Sequence, residues 1–349
     1  MVEAKTESTV LRSSPHAIKR EFVPQVMWTV VLALLPAAAA ACWYFGLRAL
    51  FVIVGATAAC VIFEYILLRL RTNGKEALKF SLDGSAVITG VLLAMNLPAS
   101  SPWWMVIIGA LVAMLLGKHL FGGLGQNIFN PALVARVFLL LAFPAEMTMW
   151  TKTGAADRFS SMALDLDAVT TATPLGIIKS DGLGALGQWM HDTGTTLWSM
   201  VMGNTAGSLG ETSALLLLLG AGILFWRGYI SWHIPVTYIT TVFVLTGIMW
   251  VVNPQVYASP VLHILSAGLF LGAFFMATDM VTTPVSAKGM VVFGIGCGVI
   301  TAAIRLFGAF PEGVSFAILV MNGLTPLIDR FTRPEKFGAE RVLRGEASA

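Results

Sequence analysis

Three ionisable side chains lie in, or at the end of, long apolar runs, and transport chemistry would be sought there first. Glu64 and Arg136 sit inside hydrophobic stretches; Asp279 closes another, beside Thr278, Thr282 and Thr283. A charge at the centre of a membrane helix costs about 2.5–3.5 kcal/mol on insertion scales, so one that is retained points to an ion path or to a buried partner. For Glu64, Arg69 and Arg71 are close enough in sequence to snorkel toward it, and Arg136 could pair with a neighbouring helix. The ion-path and structural readings therefore stand side by side for both. Asp279 with its three threonines offers oxygen ligands to a small cation.

Other groupings carry less. Gly117-Lys118 looks like the end of a phosphate loop, but His119 stands where Ser or Thr must bind magnesium and no glycine precedes at the required spacing. Gly294-Ile-Gly296-Cys-Gly298 lacks dinucleotide-binding spacing and lies in an apolar run, where small residues let helices approach. The five histidines (His16, His119, His191, His233, His263) form no facing pair suited to haem. Cys42, Cys60 and Cys297 are far apart with no CxxC pair, which excludes a sequence-local iron-sulfur or zinc site. Ala40-Ala41-Cys42 does not make a lipoprotein site, because Ala39 stands at the usual leucine position and more than twenty polar-rich residues precede the run. Ser208-Leu-Gly-Glu211 ahead of a leucine run reads as a capping box that starts a helix. No catalytic side chain and no metal site is expected.

One polar segment remains, Asp167-Ala-Val-Thr170-Thr-Ala-Thr173-Pro174-Leu175. Pro174 disfavours helical backbone at the preceding residue, so the Thr173 hydroxyl is expected on extended, accessible backbone beside the small Ala172. By itself, a threonine before proline in a loop is ordinary.

The elements that hold these residues follow from composition. The chain has 349 residues, 56% hydrophobic and 12% charged, about half the charged fraction of a soluble domain, and its mean hydropathy is +0.79. That excludes a soluble enzyme and predicts an all-α polytopic membrane protein. With about 20 apolar residues needed to cross the hydrocarbon core, ten spans are expected near 25–46, 49–70, 82–98, 101–117, 129–143, 212–226, 231–251, 260–278, 288–308 and 313–329. Those at 82–98, 129–143 and 212–226 are short enough to be tilted, broken or shielded. The net charge of +3 is too small to suggest nucleic acid. Lys and Arg instead report topology: with both termini in the cytoplasm, sixteen fall on the inside and four (Arg48, Lys152, Arg158, Lys179) on the outside, while Arg136 and Arg305 lie within or at the ends of spans.

The expected organisation is a cytoplasmic N-terminal segment 1–24, a first five-helix unit 25–143, an external segment 144–211, a second five-helix unit 212–329 and a cytoplasmic tail 330–349. Five is odd, so two homologous halves would be inverted relative to each other, as in many transporters. The third spans match loosely, Gly90-Val-Leu-Leu-Ala-Met-Asn96 against Gly272-Ala-Phe-Phe-Met-Ala-Thr278, each with a proline soon after. The fifth carry Asn130-Pro131 and Asn322 with Pro326.

The spacing of Asp167, Thr170 and Thr173 resembles the flavinylation motif of the membrane subunits of Rnf and Na⁺-pumping NADH:quinone oxidoreductase complexes. Further similarity lies in Ser14-Pro15-His16, Gln126-Asn127-Ile-Phe-Asn130-Pro131-Ala132, the segment Gly203–Ser213 and Thr278-Asp279-Met-Val-Thr282-Thr283-Pro284. It spans about residues 13–335, and the compact N-terminus is closer to the Rnf branch than to the longer quinone-reductase B subunit. Thr171 stands where the family often has glycine. The resemblance implies FMN esterified through its phosphate to Thr173, with Asp167 and Thr170 as recognition positions for a periplasmic flavin transferase. It implies a fold like that of urea transporters, often with a second, noncovalent flavin (riboflavin or FMN) between the halves. It also implies partners, the A-, B-, C-, E- and G-type subunits of an Rnf complex in the inner membrane of a bacterium, and electron relay coupled to Na⁺ or H⁺ movement; the intramembrane carboxylates Asp279 and Glu64 are the candidate ion-path residues on their own chemistry. The subunit would not be active alone. A quinone-reductase B subunit, a solute channel without redox chemistry, and a passive scaffold are the alternatives.

Overall fold

A computed structural model describes residues 23–72, 74–151, 153, 170–211, 213–266 and 268–333. The regular structure of the described chain is almost entirely helical. The first part runs α1 (Val23–Phe45), α2 (Leu47–Arg69), α3 (Gly74–Ser81), α4 (Ser85–Met95), α5 (Trp103–Val112), α6 (Pro131–Ala142) and the single turn α7 (Pro144–Met147). After α5 the chain continues as a π-helix, Ala113–Lys118, and a 3₁₀ turn, His119–Phe121. A two-residue strand pair comes next, β1 (Trp150–Thr151) with β2 (Thr170–Thr171), antiparallel with Trp150 opposite Thr171. Then come α8 (Pro174–Thr193), α9 (Leu197–Met202), α10 (Ala214–Arg227), α11 (His233–Val252), α12 (Pro260–Leu265), α13 (Leu269–Leu271) with a second π-helix Gly272–Met276, α14 (Ala287–Phe307) and α15 (Val314–Thr332).

Among the described residues, six helices are long and apolar enough to cross a membrane: α1, α2, α5 with its continuation, α11, α14 and α15. The pair α3 and α4, bent by 47° at the break between them, passes the same test together, and α6 and α10 are shorter apolar helices. Each of the ten expected spans therefore meets helix, but not always a full-length one. The run 260–278 is divided into α12, α13 and the π-helix, and 82–98 is the eleven-residue α4. Irregular backbone at membrane depth is tolerated where protein buries it, and here it does: Val91 to Met95 and Leu269 to Ala277 are buried nearly throughout.

Short apolar helices persist because close packing surrounds them. The main apolar cluster draws on α1, α2, α4, α5, α6, α10, α11, α14, α15 and both π-helices. Small residues set the distances: a Cβ on Gly220 of α10 would fall 2.1 Å from the Ala33 carbonyl oxygen of α1. Gly294 plays the packing role expected of its glycine run, since a Cβ there would lie 2.0 Å from Thr237 Oγ1 on α11. The segments 90–96 and 272–278, matched by sequence, are in contact: Asn96 Nδ2 lies 3.7 Å from Met276 Sδ, and Asn130 Nδ2 donates to the Met276 carbonyl at 3.4 Å.

The polar stretch 144–211 is not a simple loop. It folds α8 and α9 over a small second core of Leu175, Ile177, Leu186, Met200, Ala258 and Leu262, so α12 of the second half packs against it. The capping-box expectation at Ser208–Glu211 fails. Those residues form a 3₁₀ turn, Leu209–Glu211, tied to the end of α4 by Leu209 N–H donating to the Leu97 carbonyl at 3.0 Å. The helix starts at Ala214, and its cap is Ser213, whose hydroxyl accepts from Leu216 N–H. Ser208 Oγ donates instead to Glu211 Oε1 at 3.0 Å.

Candidate functional site

The π-helix after α5 gives Glu64 its partners. A π turn carries an extra residue, which rotates the succeeding side chains relative to an α-helix, and Lys118 and His119 come round to face α2. Lys118 Nζ donates to Glu64 Oε1 at 2.8 Å and to Ser85 Oγ at 2.7 Å; His119 Nε2 lies 2.9 Å from Glu64 Oε2. All four side chains are buried. Ser85 Oγ in turn donates to Asp83 Oδ1 at 2.6 Å. Glu64 is thus held by Lys118 and His119, not by Arg69 or Arg71; Arg71 reaches the cluster only by donating to the His119 carbonyl at 3.0 Å.

Lys118 also lines a cavity of about 110 Å³ between the two halves of the chain. Its walls are mostly apolar, with Thr89, Asn127, Asn130, Thr278 and Asp279 as polar members. Asp279 sits in a turn with modest local bonds: Val281 N–H and Thr282 Oγ1 each reach its carboxylate at 3.4 Å, and Thr283 Oγ1 donates to its carbonyl at 2.9 Å. Among the described residues it makes no ion pair. The two carboxylates singled out in the sequence therefore converge on one cavity, Asp279 directly and Glu64 through Lys118.

Arg136 stands elsewhere. It forms an ion pair with Glu312, donates to the Asn96 carbonyl and lies 3.2 Å from Asn96 Oδ1. It is a structural link between α6, the end of α4 and the turn before α15. Glu211 lies within the fields of Arg136 and Arg305, yet burial outweighs these and its hydrogen bond from Ser208, raising its carboxyl above the usual range. Arg305 donates to the carbonyls of His263 and Ser266, where α12 breaks off. Lys118, His119, Glu211 and Glu312 were not singled out as ionic partners in the sequence. A lysine closing an apolar run, as Lys118 does, was the available signal.

Thr173 has the extended backbone that Pro174 predicts (φ −73°, ψ 155°). It is the N-cap of α8, its Oγ1 accepting from Gly176 N–H at 3.1 Å, with Pro174 at the favoured first helical position. Contrary to the expectation of accessibility, it is 6% exposed, because Leu175 and Ile177 draw the helix start into the second core. Asp167 lies outside the described residues, and of Thr170 the backbone alone is described, paired with Thr151. Six residues beyond Thr173, Lys179 Nζ donates to the carbonyls of Ile304 (3.1 Å), Phe310 (2.6 Å) and Gly308 at the C-terminal end of α14. Burial first, and Arg305 second, pull its pKa below that of a free lysine.

The helices and these buried polar groups define a multi-pass membrane protein whose halves meet around a mostly apolar cavity with a few polar members. Its sequence matches the model of the NQR2, RnfD, RnfE family over residues 10–338. The chain is 45% identical over 343 residues to the D subunit of the proton-translocating ferredoxin:NAD⁺ oxidoreductase complex of Clostridium ljungdahlii, covering 98% of this chain and 100% of that one. It is 42% identical to the D subunit of the Na⁺-translocating ferredoxin:NAD⁺ oxidoreductase complex of Acetobacterium woodii, covering 97% of each. It is 41% identical to the D subunit of the ion-translocating oxidoreductase complex of Stutzerimonas stutzeri, covering 94% of this chain and 95% of that one. The chain belongs to the NQR2, RnfD, RnfE family.

Proposed function

We propose that this chain is the D-type membrane subunit of an Rnf ion-translocating ferredoxin:NAD⁺ oxidoreductase, in a bacterial inner membrane, and that it carries FMN on Thr173. The likeness to three D-type subunits over nearly their whole lengths supports the complex. The position of Thr173 supports the flavin. A phosphoester there would sit at the N-terminus of α8, where first-turn N–H groups and the helix dipole favour an anion. Among the described residues the Thr173 hydroxyl accepts from Gly176 N–H and donates to no acceptor. Bound flavin would supply electron uptake and release; the chain supplies the anchor, the helix that aims it and the membrane domain beside it. Because the hydroxyl is buried, the transferase must reach it before α8 packs or when its first turn opens. Ultraviolet fluorescence of the denatured, gel-separated polypeptide tests the reading: a fluorescent band is expected, and a dark band from cells that possess the transferase would overturn it.

The same reading places a second, noncovalent flavin in the cavity beside Lys118 and Asp279. The cavity's apolar walls with Thr89, Asn127 and Asn130 suit a planar ring with polar edges, but at about 110 Å³ it is smaller than the roughly 300–1,000 Å³ of usual ligand sites, so the halves must part to admit the ring. Acid extraction of the assembled complex should release flavin in addition to the covalently retained fraction. The other subunits of the complex would be the partners, and ten spans in two inverted halves the architecture; contacts of α1 with α10 and of α6 with α15 are those such a two-fold would generate.

Coupling is assigned to Asp279. Relatives named for protons and for Na⁺ are nearly equal in identity, so the shared chemistry is a small monovalent cation. Asp279→Asn complexes in sealed vesicles are expected to take up fewer cations per electron while assembling normally, since the carboxylate makes only long local bonds. An unchanged ratio would remove Asp279 from the path.

Topology gives another expected result. With 144–211 outside, Gln188→Cys, at an exposed position of α8, should react with an impermeant maleimide in intact cells on a background lacking Cys42, Cys60 and Cys297. Reaction only after permeabilisation would reverse the orientation.

A further inference from the structure

Among the described residues, Lys179 is the side chain of α8 that reaches across by hydrogen bonds to the end of a long membrane helix. The last turn of a helix leaves carbonyls without intrahelical donors and carries partial negative charge. At the end of α14, Gly308 and Phe310 lie just beyond the helix, while the carbonyl of Ile304, inside the last turn, also accepts from Gly308 N–H at 2.9 Å. An ammonium has three donors, and Lys179 places one on each of these carbonyls. One residue beyond Ile304, Arg305 turns the other way and binds the carbonyls of His263 and Ser266, where α12 ends. Leu262 of α12 packs in the second core with Leu175 and Ile177 of α8. The start of α8 is therefore fixed twice: by apolar packing on α12 and by Lys179 on α14. Three residues after Lys179, Gly182 with φ 81° breaks the helical backbone, so the segment being held is the short one that begins at the Thr173 cap.

We propose that Lys179 is a positioning residue, which clamps the Thr173-capped start of α8 to the end of α14 and so sets where the attached flavin stands relative to the membrane domain. This rests on the proposal of flavin at Thr173, but the clamp does not need the flavin. Lys179→Met keeps the aliphatic stem and removes the donors; Lys179→Arg keeps charge and donors. In the assembled complex, amide hydrogen exchange over residues 175–181 should accelerate in Lys179→Met and return toward wild type in Lys179→Arg. Covalent flavin should remain on the polypeptide in both. Electron delivery through the flavin should slow several-fold in Lys179→Met, because electron transfer falls off with distance, and recover in Lys179→Arg.

Unchanged exchange in Lys179→Met would overturn the clamp. Faster exchange with full electron delivery would overturn the positioning role. A wild-type polypeptide without gel fluorescence would instead defeat the flavin reading, while the exchange comparison would still decide whether Lys179 holds α8. If Lys179→Met failed to accumulate, the Lys179→Gln variant, which retains two donors, would be measured by the same exchange; full protection in it together with full electron delivery would also count against the need for a charged clamp.

Discussion

Thr173→Ala is expected to abolish covalent flavin on the polypeptide, because a phosphoester needs a hydroxyl. It should also weaken α8. Thr173 caps that helix through Gly176 N–H, and replacing a threonine cap by alanine typically costs about 1 kcal/mol, in a range of about 0.5–2. The loss of flavin and the loss of the cap must therefore be separated. Thr173→Asn retains a side-chain oxygen for the cap, since Asn is among the best N-cap residues, but has no hydroxyl to esterify. It should assemble as well as wild type, be dark on the gel and pass almost no electrons. Thr173→Ser keeps both cap and hydroxyl and should retain flavin if the transferase tolerates loss of the methyl. Trypsin should cut after Arg158 and Lys179, releasing a peptide of residues 159–179 that holds all three candidate threonines. Its mass spectrum should place an FMN-phosphoryl adduct on Thr173. An adduct on Thr170 or Thr171 would sink the assignment.

Features that depend on near neighbours could be read along the chain. Hydropathy located helix in all ten expected intervals, and Pro174 alone set the extended backbone of Thr173. The shortness of the runs at 82–98, 129–143 and 212–226 matches the bent α3–α4 pair and the short helices α6 and α10, whereas the division of 260–278 left no such mark because its apolar run is of full length. Features set by residues far apart could not be read. Glu64 and Lys118 are separated by 54 positions, and hydrophobic periodicity carries no information about which buried charge meets which. The same limit explains Arg136 with Glu312. Ser208 and Glu211 misled for a related reason: the pattern fits a capping box locally, but Leu97 binds the turn and the arginines draw the carboxylate inward, leaving Ser213 to start α10. Thr173 was expected in the open because the polar stretch around it hides the apolar face of Leu175 and Ile177, which becomes a core only when α12 arrives.

Breaking the Glu64 cluster should give a large loss of stability from a single substitution. Glu64→Gln removes the anion that Lys118 and His119 share in a buried site. Breaking a buried pair by removing one partner typically costs about 3–5 kcal/mol, because the remaining charge keeps its desolvation penalty. The variant should accumulate poorly and melt well below wild type. Replacing both charges is a different experiment: Glu64→Leu with Lys118→Met removes the ion pair, a replacement that is often neutral or stabilising, at the cost of the Glu64 contact to His119 Nε2. The double variant should therefore recover most of the lost stability, and the shortfall from additivity against the Glu64→Leu and Lys118→Met single variants measures the coupling of the pair. This separates the two roles open to Glu64. If its carboxylate serves only the fold, the recovered double variant should transport the normal number of cations per electron in vesicles. A Glu64 that lies on the ion path predicts a stable complex with a lowered ratio, and that is the expected result, because Lys118 joins this cluster to the cavity that Asp279 lines. A normal ratio in the stable double variant would assign Glu64 to structure and leave Asp279 as the carboxylate to test on that path.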